Sequence, residues 1–267
     1  MSYIEDYFPL FLQERYWYPM SVSVGRSLIF SSRLLNLSVL RYSVTTDCGR
    51  KLFSPQSFSM ASSIASANIA AQDFHDFLVL DFEATCIRNG RLAPQEIIEF
   101  PVLKVSGRTF EVESEFHTYV EPQVHEVGEF CTELTGITKE MVAGKPHLPD
   151  VLEMFHDWMQ KEDLLSNETK SIFVTCGDWD LKTMLPGQCD YCKLPIKPYF
   201  NQWINIKKPF ARVTGEYPKS MMAMLERLDL KHVGRHHSGL DDCKNIAKIL
   251  KAIAERKFRF IPTGAKR

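Results

Sequence analysis

The sequence predicts an α/β fold in which an antiparallel meander of three strands is followed by strands and helices in alternation. Two short apolar runs, residues 77–80 and 171–176, have the length and composition of buried strands. Residues 109–120 alternate polar and apolar side chains, which is typical of a strand with one solvated side. Apolar side chains recur at helical spacing in residues 149–162 and 240–254, which predicts two amphipathic helices.

The middle strand of the meander is predicted at residues 97–105, and a turn at residues 106–108 joins it to the third strand. Two acids, Glu96 and Glu99, interrupt this strand. We interpret both as salt-bridge or capping residues and not as metal ligands, because the apolar positions around them are needed for the sheet. Further along the chain, Thr138 is placed to cap a short helix.

The composition is that of a globular protein from a reducing compartment. The 267 residues are 45% hydrophobic and 24% charged, which is enough to bury a core. A net charge of −1 excludes a globally basic, histone-like protein. No apolar run reaches the roughly 18 residues of a membrane-spanning helix, so no membrane partner is expected. Seven scattered cysteines favour an intracellular location, cytoplasmic or nuclear.

Residues 1–72 are predicted to form a leader before the folded domain, which we place at residues 73–262 with a tail at 263–267. Residues 15–72 are rich in Ser and Arg, and Asp47 is their single acid. This composition is typical of a peptide for mitochondrial import. A disordered leader without targeting value is the alternative, and the acids that precede residue 15 favour it.

A D-x-E pair follows the first apolar run, with Asp81 and Glu83 separated by one residue. The two-residue period of a strand places both carboxylates on the same side. Two carboxylates in a partly dry site repel each other, and a bound cation relieves that repulsion. Magnesium or manganese, which prefer oxygen ligands, are the natural candidates. Standing alone, the pair would more often be a solvated acidic turn.

A second predicted strand also ends in acids. Residues 171–176 lead directly into Asp178 and Asp180, at the start of the next helix. Asp178 could act as the N-cap of that helix, and Asp180 could be a first-turn acid favoured by the helix dipole. One of the two is therefore expected to have only this structural role.

The last helix carries a third acidic group, next to histidines. At about 100° per residue, Asp241 lies roughly 165° from the centre of the apolar stripe, whereas Asp242 lies roughly 95° away. We therefore expect Asp242 to reach a site at the edge of the sheet and Asp241 to be solvated. His236 or His237 would lie at the mouth of the same site. Ser238 and Asp241 also have the spacing of a capping box.

Four acids and one histidine in this order suit two-metal hydrolysis of a phosphodiester, in which the acids hold two cations and the histidine deprotonates water. The set resembles the DEDDh 3′-to-5′ exonucleases of the ribonuclease H-like fold, and specifically their enhanced-RNA-interference, or three-prime histone-mRNA, exoribonuclease branch. The resemblance spans residues 74–260. Six motifs carry it: residues 81–86 (DFEATC), 96–101 (EIIEFP), 134–137 (LTGI), 179–180 (WD), 203–205 (WIN) and 237–247 (HSGLDDCKNIA).

The resemblance implies a ribonuclease H-like exonuclease fold with a mixed five-stranded sheet flanked by helices. It implies a 3′-5′ exoribonuclease that releases 5′-mononucleotides, uses two Mg²⁺ ions for which Mn²⁺ could substitute, and takes single-stranded RNA 3′ ends as its partner. It selects Asp180 over Asp178 and His237 over His236. The implied metal ligands are Asp81, Glu83, Asp180 and Asp242.

The same resemblance implies two further sets of roles. Glu83 and His237 are the expected catalytic residues, with His237 as the general base. The expected substrate contacts are Glu83, Ala84, Thr85, Leu134, Trp179 and His237.

Two other functions remain open at this point. The chain could degrade DNA, or it could be an RNA- or protein-binding module that keeps the fold with little activity. A vestigial site would be expected to lack a charged ligand, and no position of the set is missing. The choice of RNA over DNA rests on the branch resemblance, because the contact to the 2′-hydroxyl has no sequence signature.

Basic residues on both sides of the histidine motif predict a local basic groove, with Trp203 and Phe210 as stacking surfaces for bases. Solvated charged faces are the alternative. The basic residues are Lys207, Lys208, Arg212 and Lys219 before the motif, and Lys248, Lys251, Arg256, Lys257 and Arg259 after it.

Cys189 and Cys192 have the C-x2-C spacing of half a zinc site. The second half of a four-cysteine site is missing, since no other C-x2-C follows in the sequence. A half-motif of this kind is more often found without zinc. We therefore do not expect these two cysteines to hold a metal ion.

Overall fold

The protein is built around a mixed sheet, which we describe from a computed structural model that covers residues 69–266. Within these residues the sheet has five strands of four to ten residues and two strands of two residues. The strands are β1 (Asp76–Leu80), β2 (Glu83–Ala84), β3 (Ile97–Ser106), β4 (Val112–Tyr119), β5 (Ser171–Thr175), β6 (Gln202–Asn205) and β7 (Gly264–Ala265).

The strand pairing confirms the predicted antiparallel meander, since β1 pairs with β3 and β3 with β4 in antiparallel fashion. β5 lies parallel to β1, and β6 lies parallel to β5, so the sheet is mixed as predicted. The prediction of five strands missed β2 and β7, because two residues are too few to leave a periodic pattern. β1 and β2 follow the same edge of β3, on either side of a break at Asp81 and Phe82.

Helices cover both faces of the sheet. They are α1 (Glu129–Thr135), α2 (Lys139–Val142), α3 (Leu148–Lys161), α4 (Leu185–Cys192), α5 (Lys207–Thr214), α6 (Met221–Arg227) and α7 (Gly239–Ala254), with a π-helical turn at Asp180–Met184 and a 3-10 turn at Pro198–Asn201. None of the helices in residues 69–266 is long and apolar enough to cross a membrane.

The side chains of β1 alternate between two hydrophobic cores. Phe77 and Val79 pack in one core with α5, α6 and α7, whereas Leu78 and Leu80 pack in the other with α3 and α4. All four side chains are fully buried. A strand that is covered on both faces needs apolar residues at every position, which explains the uninterrupted run in the sequence. The polar residues that follow such a strand therefore lie at the edge of the hydrophobic cores, where little water reaches them.

One of the two predicted helix caps forms. The hydroxyl of Thr138 accepts a hydrogen bond from the backbone N–H of Met141 at 3.4 Å, as expected for the cap of α2. The predicted capping box of Ser238 and Asp241 is wrong, because the Ser238 side chain makes no capping hydrogen bond and Asp241 accepts from the N–H of Arg235 instead. The carboxylate of Glu99 on β3 takes the place of that cap.

The ends of the described region contact each other. The side chain of Gln72 donates to the carbonyl of Phe258 and accepts from the N–H of Phe260. Gly264–Ala265, which we predicted to lie in a tail, pairs with β6 as β7. The predicted leader falls outside the described residues except for residues 69–72, so its nature and the domain boundary stay predictions.

The turn between β3 and β4 requires a glycine. A Cβ atom added to Gly107 would lie 2.1 Å from the backbone oxygen of Phe74. Gly107→Ala should therefore lower the free energy of unfolding by about 1–3 kcal/mol, measured by urea denaturation.

Gly187 provides the matched control, because it lies exposed in α4 with no atom near its added Cβ. Gly187→Ala should raise the free energy of unfolding by up to about 1 kcal/mol, since alanine loses less entropy in a helix. Equal effects of the two substitutions would contradict the steric argument.

Candidate active site

Three carboxylates converge at the edge of the sheet where β1 ends. Asp81 follows the last residue of β1, Glu83 begins β2, and Asp242 lies in the first turn of α7. One oxygen from each carboxylate lies within 4.8 Å of the other two. Asp242 is only 4% exposed and Glu83 is buried, so these charges are largely withdrawn from water.

Burial raises the pKa of all three acids. Burial raises the pKa of Asp81 well above its usual range, and the charges of Asp180, Asp242 and Glu99 add to the effect. The pKa of Glu83 is also raised well above its usual range. Burial is the larger cause, and the charges of Asp81 and Asp242 add to it. The pKa of Asp242 rises to about 7, mainly through burial. The acids therefore cannot all be ionised at neutral pH unless a positive charge joins them.

The donor chemistry of the group suits a hard divalent cation. All three ligand atoms are carboxylate oxygens, which magnesium and manganese prefer. The Oδ1 atom of Asp242 is buried and makes no hydrogen bond, so an acceptor is left for an ion. The residues present thus fit a divalent metal ion.

Asp180 lies close to this group, and Asp178 has a different environment. The N–H of Phe82 donates to Asp180 Oδ1 at 3.0 Å, and Asp180 is 4% exposed, with its pKa raised to about 6 by burial. Asp178 Oδ1 accepts from the indole N–H of Trp203 at 2.8 Å, and Asp178 Oδ2 lies 3.7 Å from Lys208 Nζ. Asp178 therefore has a structural role, though as the partner of a tryptophan and not as a side-chain cap.

The burial of the two aspartates of α7 follows the predicted angles. Asp242 faces the sheet, whereas Asp241 is partly exposed and pairs with Lys244 at 3.0 Å. The hydrogen bond from the N–H of Arg235 lowers the pKa of Asp241, which therefore stays ionised, and Asp241 is not one of the three converging carboxylates. The apolar stripe was a sufficient signal for this distinction.

Both candidate histidines lie at the site. The N–H of His237 donates to Asp242 Oδ2 at 2.9 Å, and the backbone of His237 has a positive φ of 66°. The rings of His236 and His237 are 3.9 Å apart, and both reach within 4.8 Å of Asp242. His232, which the sequence analysis missed, places Nε2 3.9 Å from Asp242 Oδ1. No motif spacing links His232 to Asp242, so the sequence carried no signal for it.

A cavity of about 260 Å³ lies at the start of α7, where its lining includes Ser238 and Asp241, the sequence neighbours of His237 and Asp242. Arg235 closes one side, where its guanidinium packs over Gly136 so closely that a Cβ atom there would lie 2.8 Å away. The expected substrate contacts included Leu134, which precedes the lining residue Thr135, but none of the residues that line the cavity. The lining consists of Glu99, Tyr119, Thr135, Gly136, Ile137, Met141, Arg235, Ser238 and Asp241.

The expected substrate contacts differ in their exposure. Thr85 is fully buried, and its hydroxyl accepts a hydrogen bond from the N–H of Glu96 at 3.0 Å, so it lines no open surface. Ala84 is 6% exposed, while Leu134 and Trp179 are partly exposed. The predicted stacking role of Trp203 and Phe210 is wrong, because these rings are 1% and 2% exposed and belong to the two cores.

The basic residues have local partners. Lys207 donates to the carbonyl of Lys219 at 3.0 Å, and Lys208 donates to that of Thr263 at 2.8 Å. Lys251 pairs with Glu111, and Arg259 with Asp73. These contacts favour the solvated-face interpretation over a groove formed by both clusters.

Residues 78–250 match the exonuclease family known as RNase_T. The chain belongs to this exonuclease family. It is 53% identical to bovine ERI1 exoribonuclease 3 over 92% of this chain and 75% of the relative. It is 56% identical to the human protein of the same name over 76% of this chain and 61% of the relative.

A solved structure supports the same assignment. The nuclease domain of 3′hExo, a DEDDh family member bound to rAMP, is 34% identical with a TM-score of 0.69, over 73% of this chain and 98% of its own length. The ribonuclease H-like fold and the resemblance to the exoribonuclease branch are confirmed. Within the branch, the identities of 53% and 56% to exoribonuclease 3 confirm the resemblance to that member. The chain is a 3′-5′ exonuclease, a hydrolase of a family that uses divalent metal ions.

The two aspartates after β5 should respond differently to substitution. Asp178→Ala leaves the buried indole N–H of Trp203 without its acceptor and should lower the free energy of unfolding by about 1–3 kcal/mol, with exonuclease activity per folded molecule retained. Asp180→Asn keeps an acceptor for Phe82 and should leave stability intact while removing most of the activity.

Urea denaturation and exonuclease assays on both variants check this expectation. Loss of activity from Asp178→Ala at unchanged stability would reverse the two assignments.

Proposed function

We propose that the chain removes nucleotides from the 3′ end of single-stranded RNA and releases 5′-mononucleotides. The convergence of three carboxylate oxygens within 4.8 Å carries this proposal, because such a group favours cations that assist phosphodiester hydrolysis. The choice of RNA is supported by the relatives, which are named exoribonucleases, and by the ribonucleotide in the related nuclease structure.

Asp81, Glu83, Asp180 and Asp242 are the proposed ligands of two Mg²⁺ ions, for which Mn²⁺ could substitute. When bound, the ions polarise the phosphodiester and lower the pKa of water. Two backbone N–H groups orient the ligands, since Phe82 donates to Asp180 Oδ1 and His237 donates to Asp242 Oδ2. The buried Oδ1 of Asp242 makes no hydrogen bond and is left for an ion.

His237 is the proposed general base. Its backbone hydrogen bond to Asp242 holds it beside the acids, where its imidazole takes a proton from the attacking water. Glu83 is the proposed acid that both binds an ion and contacts the terminal nucleotide. Ala84, Leu134 and Trp179 lie on the elements around it.

The cavity beside α7 is the proposed site of the terminal nucleoside, because its volume of about 260 Å³ leaves room for one. Ile137 and Met141 offer apolar contact to a base, and Tyr119 offers an aromatic ring. Arg235 places a positive charge at the wall of this cavity, where it is proposed to pair with a phosphate of the RNA. This lining, and not Thr85, would set the fit of the 3′ end.

Metal binding should depend on pH through the raised pKa values. The pKa values of Asp180 (about 6) and Asp242 (about 7) exceed those of the unfolded chain. Their contribution to stability is therefore greatest in acid and is lost as the pH rises through 6 to 7 in the metal-free protein. Mg²⁺ should offset this loss. The increase in Tm on adding Mg²⁺ should therefore be larger at pH 8 than at pH 5.5, and it should grow over the pH range in which these two groups lose their protons.

Asp242→Asn is the control, since it removes one titrating group and one ligand. It should reduce both the pH dependence of the metal-free Tm and the increase caused by Mg²⁺. A Mg²⁺ effect of the same size at pH 5.5 and pH 8 would contradict the expectation.

His237→Ala should lower turnover on a single-stranded RNA by about 10²–10⁴-fold, because a general base contributes that much. Metal binding should persist, because the four carboxylates remain. His236→Ala is the matched control on the same backbone and should do much less. Product analysis on 3′-terminal fragments, with Mn²⁺ binding measured by calorimetry, gives both readouts.

The same assay on RNA and DNA of identical sequence tests the substrate. Release of 5′-mononucleotides from RNA faster than from DNA is expected. Faster release from DNA would overturn the RNA assignment, and equal losses from the two histidine variants would overturn the role of His237.

A further inference from the structure

Glu99 is a buried carboxylate at the third position of strand β3. It is 1% exposed, and the apolar Ile98 and Phe100 flank it. Withdrawing an ionised carboxylate from water is costly unless hydrogen bonds replace the water. The contacts of Glu99 therefore indicate why the strand keeps an acid at this position.

Three donors surround the carboxylate. Glu99 Oε2 accepts from the N–H of Gly239 at 2.9 Å, and Oε1 accepts from the N–H of Leu240 at 3.3 Å. Nε2 of His117 on the neighbouring strand β4 lies 2.9 Å from Oε1. Glu99 thus caps the N-terminus of α7 from another element, at the end of a helix where negative charge is favoured.

The capped turn is also where α7 meets β1. A Cβ atom on Gly239 would lie 2.5 Å from the backbone oxygen of Asp81, so the absence of a side chain permits this approach. His237 lies two residues before Gly239, and Asp242 lies three residues after it. A shift of this turn would therefore move the histidine and the aspartate together, relative to Asp81.

We propose that Glu99, held by His117, is a positioning residue that fixes the first turn of α7 against β1 and so sets Asp242 and His237 relative to Asp81 and Glu83. The inference rests on the proposed roles of these four residues. Small displacements of metal ligands are costly, and loss of a group that orients a ligand typically lowers metal affinity or activity by about 10–100-fold.

A purely structural role for a buried glutamate is the competing explanation, and Glu96 provides the control for it. Glu96 is 3% exposed at the start of the same strand, and its carboxylate accepts from the backbone N–H groups of Gln123, Val124 and His125. These three residues lie in the loop after β4 and not in α7. Glu96 therefore resembles Glu99 in being buried and in accepting hydrogen bonds from backbone N–H groups. Its side chain does not hold the helix that carries Asp242.

The experiment compares Glu99→Gln with Glu96→Gln in the full chain. Both substitutions keep the shape of the side chain and should lower Tm, because each weakens a buried set of hydrogen bonds. Only Glu99→Gln should weaken Mn²⁺ binding, measured by calorimetry, and raise the Mg²⁺ concentration for half-maximal activity, by about 10-fold or more. Because Glu99 also lines the cavity proposed for the terminal nucleoside, metal binding measured without RNA is the deciding readout.

His117→Ala keeps the test decisive if Glu99→Gln fails to fold. It removes one donor from a partly exposed side chain and should shift metal affinity in the same direction by a smaller factor. Metal affinities for Glu99→Gln and His117→Ala that match that of Glu96→Gln would overturn the positioning role. Failure of the proposed function is distinguishable, because the unsubstituted chain would then show no metal-dependent release of mononucleotides.

Discussion

Repulsion among buried carboxylates is the constraint on which this structure depends. Asp81, Glu83 and Asp242 bring their oxygens within 4.8 Å of one another in a region with little water. Asp180 and Glu99 add negative charge close by. Folding brings these groups together at a cost, and the rest of the architecture must both supply that free energy and hold the groups in place.

The two hydrophobic cores supply much of the opposing free energy. β1 is buried on both faces, between α3 and α4 on one side and α5, α6 and α7 on the other. Apolar burial of this extent stabilises the sheet, so its edge can present unfavourable charge. A site of this kind is locally destabilising and becomes favourable when cations bind, which couples the stability of the fold to its function.

The position of α7 shows how the fold controls the site. Its apolar stripe turns Asp242 inward, while Glu99 and the close contact of Gly239 with Asp81 define where its first turn lies. Backbone N–H groups then orient individual carboxylates, from Phe82 to Asp180 and from His237 to Asp242. Asp180 and Asp242 are thus each oriented by a backbone N–H group of a residue at the site.

Local patterns predicted the elements that have a clear period. The meander, the strands buried on both faces and α3 were all predictable, because burial leaves either an uninterrupted apolar run or a period of two or 3.6 in the sequence. The strands β2 and β7 were not, since two residues carry no period. The cap of α7 was assigned to Ser238, because only a nearby residue can be recognised from spacing.

The sequence by itself determined which residue types are available and which face of α7 Asp242 occupies, since helical geometry alone decides that angle. Only the tertiary structure decided that Asp178 pairs with Trp203, that Thr85 and Phe210 are buried, and that Glu99 caps α7. Each of these depends on contacts between residues far apart in the chain. Such contacts are set by how sheet and helices pack, and they leave no local pattern in the sequence.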